Sequence, residues 1–157
     1  MDWRIGYKAH LAVDDNGIPV SYAVTGASVH DVRLAIPLMR MADKRCTYLY
    51  SLMDSGYSSK EVKDFAYEMG KIPVIDFKAD RNGKKPEMDP AKIERYKART
   101  TVERSNSELK LCFLPDHLHS RGFKARLDIE LAILLLTMKR MRMVLFKEQN
   151  FRQQKTA

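Results

Sequence analysis

The sequence predicts a mixed α/β fold. Two observations carry that reading: strand-like and helix-like segments follow one another in an alternating order, and the turn and cap residues between them punctuate that order. At 157 residues the chain has the length of one domain, and hydrophobic residues make up 45% of it, enough for a packed core.

The segments "YKAHLAV" and "IPVSYAV" flank "DDNG", which predicts a β-hairpin with Gly17 supplying positive φ at the turn. Pro19 has no N–H for a ladder bond, so the second strand is expected to start there or to lie at an edge. "HDVRLAIPLMRMA" reads as a helix with Asp31 as N-cap and Pro37 as a kink. "YLYSLM" is a short strand that stops at Asp54. Ser58 and Glu61 then have the spacing of a capping box, opening a helix that runs to Gly70. "IPVIDF" is a further short strand, and "KADRNGKKPEMDP" is a polar loop. Asp89-Pro90 pairs an N-cap with a proline at the first helical position, so a long helix is expected from about Pro90 to about Leu111. "GFKARLDIELAILLLTMKRMRMVLF" is a final amphipathic helix whose Met138, Met141 and Met143 read as packing residues. No internal repeat or linker interrupts the order, so residues 1–157 are expected to form a single domain.

The net charge of +8 points to a polyanionic partner, nucleic acid before membrane. From Lys139 to Ala157 six cations face Glu148 alone, a basic C-terminal tail expected to be flexible at its end. Cys46 and Cys112 are isolated, which argues against a zinc site or disulfide scaffold and favours a reducing, cytoplasmic setting. No apolar leader opens the chain, and the run from Ile129 to Met138 is about half of what a bilayer span needs. A soluble protein without a membrane partner is expected.

Two features carry chemistry. Asp54 stands where an apolar strand ends and a Ser-Gly turn begins, the position where ligands bind in α/β sheets, although an aspartate there is also a common turn former. Tyr96, Arg99, Glu103 and Lys110 fall, at about 100° per residue, within about 60° of arc on the long helix, in a line roughly 20 Å long. Ala98, Val102, Leu109 and Phe113 form a neighbouring apolar stripe, so the charged line is expected beside the buried seam. Arg99 and Glu103 are equally compatible with an ordinary surface i,i+4 pair.

The spacing Tyr96-KA-Arg99-TTV-Glu103-RSNSEL-Lys110 resembles the signature of a branch of DDE transposases encoded by insertion sequences. "GYKAHLAVDDNGIPVSYAVTGASVHD" resembles that branch's hairpin after the first catalytic strand, and "LMDSGYSS" its second catalytic aspartate. The resemblance runs from residue 6 to about residue 145. It implies a ribonuclease H-like mixed sheet with flanking helices, in which three carboxylates hold two Mg²⁺ (or Mn²⁺) ions and DNA strands are cut and joined. Carried over by position, Asp54 is the second acid and Glu103 the third, both metal ligands. Tyr96, Arg99 and Lys110 grip transposon-end DNA, and the protein acts at the nucleoid. Hard oxygen ligands suit Mg²⁺, and two metals about 4 Å apart can activate a nucleophile and stabilise a leaving oxygen.

The chain departs from that pattern at the first acid. In the family it lies on a mid-sheet strand before the hairpin, and here the hairpin starts near Gly6 with Asp2 as the only carboxylate upstream. A partial catalytic domain lacking the first catalytic strand is therefore expected, with metal binding weak or absent. The alternative is an inactive DNA-binding remnant that pairs with itself or with intact transposase. Without that strand, the hairpin and the Asp54 strand should either pair directly or expose edges that invite self-association. His10 and His30 read as a strand-face and a helix-start residue, and His117 and His119 as part of a turn.

Overall fold

The structure, a computed structural model, describes residues 6–76, 83 and 87–156, with backbone alone from residue 150 onward. Asp2, Phe77 and most of the polar loop before Glu87 lie outside the described residues. Contacts divide the chain into two compact units, the first formed by Met1–Ala12 and Val20–Thr100, the second by Val13–Pro19 and Thr101–Ala157.

In the first unit, strands β1 (Tyr7–Val13) and β2 (Pro19–Gly26) form the expected hairpin, with Pro19 opening the second strand. Helix α1 (Val32–Asp43) follows. Asp31 does precede it but makes no side-chain cap: its backbone is itself helical (φ −58°, ψ −37°) rather than extended as a capping residue requires, and its carboxylate binds Lys8 Nζ at 3.1 Å. Pro37 lies inside α1, on its exposed side, and leaves the carbonyl of Arg33 without the usual helical N–H donor.

Strand β3 (Tyr50–Met53) leads through a 3₁₀ turn (Ser55–Tyr57) to helix α2 (Lys60–Glu68) and strand β4 (Ile72–Ile75). The N-cap of α2 is Ser59 rather than the expected Ser58, and it accepts from Val62 N at 3.2 Å. The 3₁₀ turn accounts for the shift: the Ser58 N–H closes that turn on Ser55 O, so the helix starts one residue later. Gly70, at φ +69°, ends α2 as predicted. β3 and β4 pair in parallel, with Tyr50 opposite Ile72 and Met53 opposite Ile75. Ala35 and Met39 of α1 pack with Val62 and Ala66 of α2 and Ile75 of β4 into the buried core. Among the described residues the hairpin does not pair with β3; the strands form two two-stranded sheets.

The long helix expected from Pro90 is segmented. Asp89 caps α3 (Pro90–Tyr96) by accepting from Ala91 N at 2.8 Å. A 3₁₀ turn over Lys97–Arg99 follows, then α4 (Thr100–Glu108), then a π-helical turn over Leu109–Phe113. The uniform 100° step therefore fails at both ends of the stripe, because a 3₁₀ turn winds tighter and a π turn wider than an α-helix. Of the predicted apolar stripe, Leu109 is buried and Val102 and Phe113 are half-buried, whereas Ala98 is exposed.

The second unit gathers the hairpin tip, α4, the π turn and α5 (Phe123–Thr156), which continues beyond the expected end at Phe146. Ala125, Ile129, Ala132, Ile133 and Leu136 form the buried face of α5. At the tip, Asp14 Oδ1 accepts from the N–H groups of Asn16 and Ile18 at 2.9 and 2.8 Å. Gly17 has φ +77°, and a Cβ built on it would meet Ser105 Oγ at 2.8 Å. Ser105 cannot easily retreat, since its buried hydroxyl donates toward Gly17 O and Thr101 O at 3.2 and 3.0 Å.

Gly17 thus carries both a turn and a close approach, whereas Gly70 has a positive φ with nothing within 4 Å. Gly17→Ala is expected to destabilise by about 1–3 kcal/mol, from left-handed strain plus the clash. Gly70→Ala should cost only the strain. Urea unfolding of both variants checks the order; equal losses would remove the close approach from the account.

Candidate active site

β3 and β4 each end on an acid. Asp54 follows Met53, Asp76 follows Ile75, and the parallel register places Met53 opposite Ile75, so both carboxylates leave the sheet at one end. The backbone confirms the neighbourhood, with Asp76 N donating to Met53 O at 3.3 Å. Sequence reading assigned Asp76 only to a strand. The signal was present in the matching endings "LMD" and "VID", but it acquires meaning only once the two strands are known to be parallel neighbours.

Arg99 Nη2 reaches Asp54 Oδ2 at 3.4 Å, with the side chains 26% and 54% exposed. At that length and exposure the pair is loose and readily displaced. The 3₁₀ turn makes this placement, since side chains three apart eclipse along it. The Arg99 guanidinium accordingly lies 5.6 Å from the Tyr96 ring centroid. One residue earlier, Arg95 lies 4.4 Å from the Tyr50 ring, seating α3 against β3.

Burial pushes the Tyr96 phenol up, Arg99 pulls it down, and Asp76 and Asp54 push it up further. Its buried hydroxyl faces Arg99 without the geometry of a hydrogen bond. Tyr57, in the turn after Asp54, is pushed up to about 12 by burial and then by Asp31 and Asp54. Both phenols are therefore neutral at physiological pH, beside carboxylates that can act as hard anionic ligands.

The first unit brings together Asp54, Tyr96 and Arg99; Glu103 and Lys110 belong to the second unit. Glu103 is exposed on α4, and Lys110 is exposed in the π turn. Among the described residues no cluster of three or more His, Cys, Asp or Glu side chains could hold a metal ion. No described helix is long and apolar enough to cross a membrane. Two cations of the basic tail, Lys139 and Arg140, are paired with Glu108: Lys139 Nζ lies 2.6 Å from Oε1, and Arg140 binds Oε2.

Behind Asp54, His10 is 4% exposed, with Nδ1 at 3.3 Å from Tyr57 Oη and Nε2 at 3.0 Å from Thr25 Oγ1. It is the strand-face residue that the sequence suggested. His117 and His119 lie exposed in the loop before α5. Burial lowers the His10 pKa, against the opposing pull of Asp31. The neutral ring is favoured in the folded state, so folding gains from it above the unfolded value near 6.5 and loses as pH falls below that value. Thermal midpoints are expected to drop between pH 7.5 and pH 5, and His10→Gln should flatten the drop. An unchanged pH dependence in the variant would assign the drop to other groups.

Compared with protein families, the chain matches the model of the transposase DDE domain over residues 2–138. No curated protein and no solved structure matches it. The matched span covers most of the 157 residues, including both strand-end acids and the whole of the segmented helix. The chain belongs to the transposase DDE domain family.

Proposed function

We propose that this chain is the catalytic domain, or part of it, of an insertion-sequence transposase, acting on DNA by metal-dependent strand cleavage and transfer. The observation that carries the reading is Asp54, placed at a strand end with Arg99 and Tyr96 beside its carboxylate, in a chain of the transposase DDE domain family. The paired parallel strands β3 and β4, joined through α2, are compatible with a ribonuclease H-like sheet. The separation of the hairpin from β3 supports a family sheet in which a further strand, carrying the first acid, lies between them.

The donor chemistry fits a hard divalent ion in part: Asp54 and Glu103 offer carboxylate oxygens of the kind Mg²⁺ prefers, while among the described residues no group of three or more His, Cys, Asp or Glu side chains is gathered to hold one. Asp54 and Glu103 would hold the ion, whose contribution when bound is to activate the attacking oxygen and stabilise the leaving one. Arg99 is suited to exchange partners, releasing Asp54 and taking a DNA phosphate. Its guanidinium fork matches phosphate geometry, and stacking on Tyr96 holds it in place. Lys110 would add a second phosphate contact. The Tyr96 phenol, kept neutral, can donate to a phosphate oxygen without adding negative charge.

The loose Arg99–Asp54 pair also favours a second reading, a DNA-binding domain whose acid is neutralised by its own arginine. Metal binding separates the two. Calorimetric titration with Mn²⁺ is expected to show affinity reduced at least tenfold in Asp54→Ala and in Glu103→Ala, and increased in Arg99→Ala, which frees a carboxylate oxygen. Affinity unchanged by either acid substitution would leave the binding-only reading.

DNA binding itself should be electrostatic. Each neutralised phosphate contributes a slope of about −0.9 to the plot of log affinity against log salt. Arg99→Ala combined with Lys110→Ala should therefore flatten that slope by about 2 in duplex titrations. A slope unchanged in the double variant would move the DNA contact to the basic C-terminal segment.

A further inference from the structure

Helix α5 has two apolar faces. One is the buried face already described. On the opposite side Leu127, Leu131, Leu134, Met138, Met141 and Leu145 are 40–59% exposed. The methionines read from sequence as packing residues are on the outside: Met138 is 59% exposed, Met141 50% and Met143 44%. Outward residues that alternate spacings of four and three along a helix form the seam of a two-helix coiled coil. This one extends over about 27 Å of helix. Its C-terminal half is an open apolar surface formed by Met138, Met141 and Leu145, with Arg142 beside them.

We propose that this seam pairs with the same seam of a second copy of the chain, the two α5 helices running antiparallel. The flanking residues decide the direction. Asp128 and Arg142 lie along the same edge of the seam, near its two ends, with half-exposed Leu135 midway between them. In an antiparallel pair that edge faces its own copy. Asp128 then meets Arg142 of the second copy at each end, and Leu135 meets Leu135 at the twofold axis. A parallel pair would instead set Glu130 against Leu135, leaving a charge beside an apolar side chain. Asp128 is already oriented by Ser120, whose hydroxyl donates to Oδ2 at 2.5 Å, and Arg142 lies against the Phe146 ring at 5.3 Å. The seam and Leu135 together offer on the order of 600 Å² per copy, about 1,200 Å² over two copies, within the range of specific interfaces.

The test is sedimentation equilibrium of the intact chain with Cys46→Ser and Cys112→Ser in the background. A dimer is expected at 10–50 μM (on the order of working concentrations for μM affinity), and Leu134→Glu with Met138→Glu should halve the mass while leaving the circular dichroism intact. Asp128→Arg alone and Arg142→Asp alone should each weaken dimerisation at least tenfold, and the two together should restore it. Because that restoration needs folded protein, it also covers the case in which the glutamate variant misfolds. In the same background Leu135→Cys should form a disulfide-linked dimer on oxidation, and Leu127→Cys should not. A monomer at these concentrations, a dimer indifferent to the seam glutamates, charge variants without mutual rescue, or a dimer linked through Leu127→Cys would each overturn the proposal. The first two results would leave the face to a different partner.

Discussion

Glu108 is the constraint on which the second unit rests. Its carboxylate is only 15% exposed and sits between Lys139 and Arg140 of α5. The hydrogen bond from Lys139, and then the charge of Arg140, hold its pKa below the usual carboxylate value despite the opposing effect of burial. A carboxylate so placed is costly to leave unpaired, so α5 is held in one rotation against α4. That rotation turns Ala125, Ile129, Ala132, Ile133 and Leu136 inward, and it leaves the leucine and methionine seam facing out. The hairpin tip is fixed at the same place: a side chain on Gly17 would press on both Ser105 and Arg140.

The first unit is organised around a different electrostatic problem. Parallel pairing of β3 and β4 delivers two aspartates to one sheet end, where like charges accumulate. Arg99, carried in by the 3₁₀ turn, offsets part of that charge while remaining within reach of solvent. Tyr96 and Tyr57 line the same end as neutral phenols, because burial and the nearby acids both oppose their ionisation. An acidic end with an exchangeable cation such as Arg99 beside it is suited to a ligand that brings its own positive charge and a phosphate together. That match of charges underlies the proposal that metal-dependent DNA chemistry takes place at this end.

The basic C-terminal segment shows the same contrast. The sequence reads as a basic tail from Lys139 onward, and two of its cations, Lys139 and Arg140, are engaged by Glu108 within the protein. Charge counted along a sequence overstates what is available to a partner whenever an acid more distant in the chain, such as Glu108, folds back onto the cluster.

Local rules determined much of this protein from its sequence. The Asn16-Gly17 turn, the strand start at Pro19, the helix stop at Gly70 and the cap at Asp89 all follow from backbone conformations and hydrogen bonds that neighbouring residues fix among themselves. Asp54 at a strand end and the spacing from Tyr96 to Lys110 were legible for the same reason, since both are patterns within one segment. Tertiary structure decided the rest. Asp31, whose own backbone is helical, does not cap α1 and pairs instead with Lys8, on a strand distant in sequence. Asp76 became a neighbour of Asp54 only through parallel pairing, and the even helical stripe was broken by a 3₁₀ and a π turn. Which of the two apolar faces of α5 is buried was likewise undecidable from periodicity, because both satisfy a helical repeat. Packing chose between them, through an ion pair between residues some thirty positions apart.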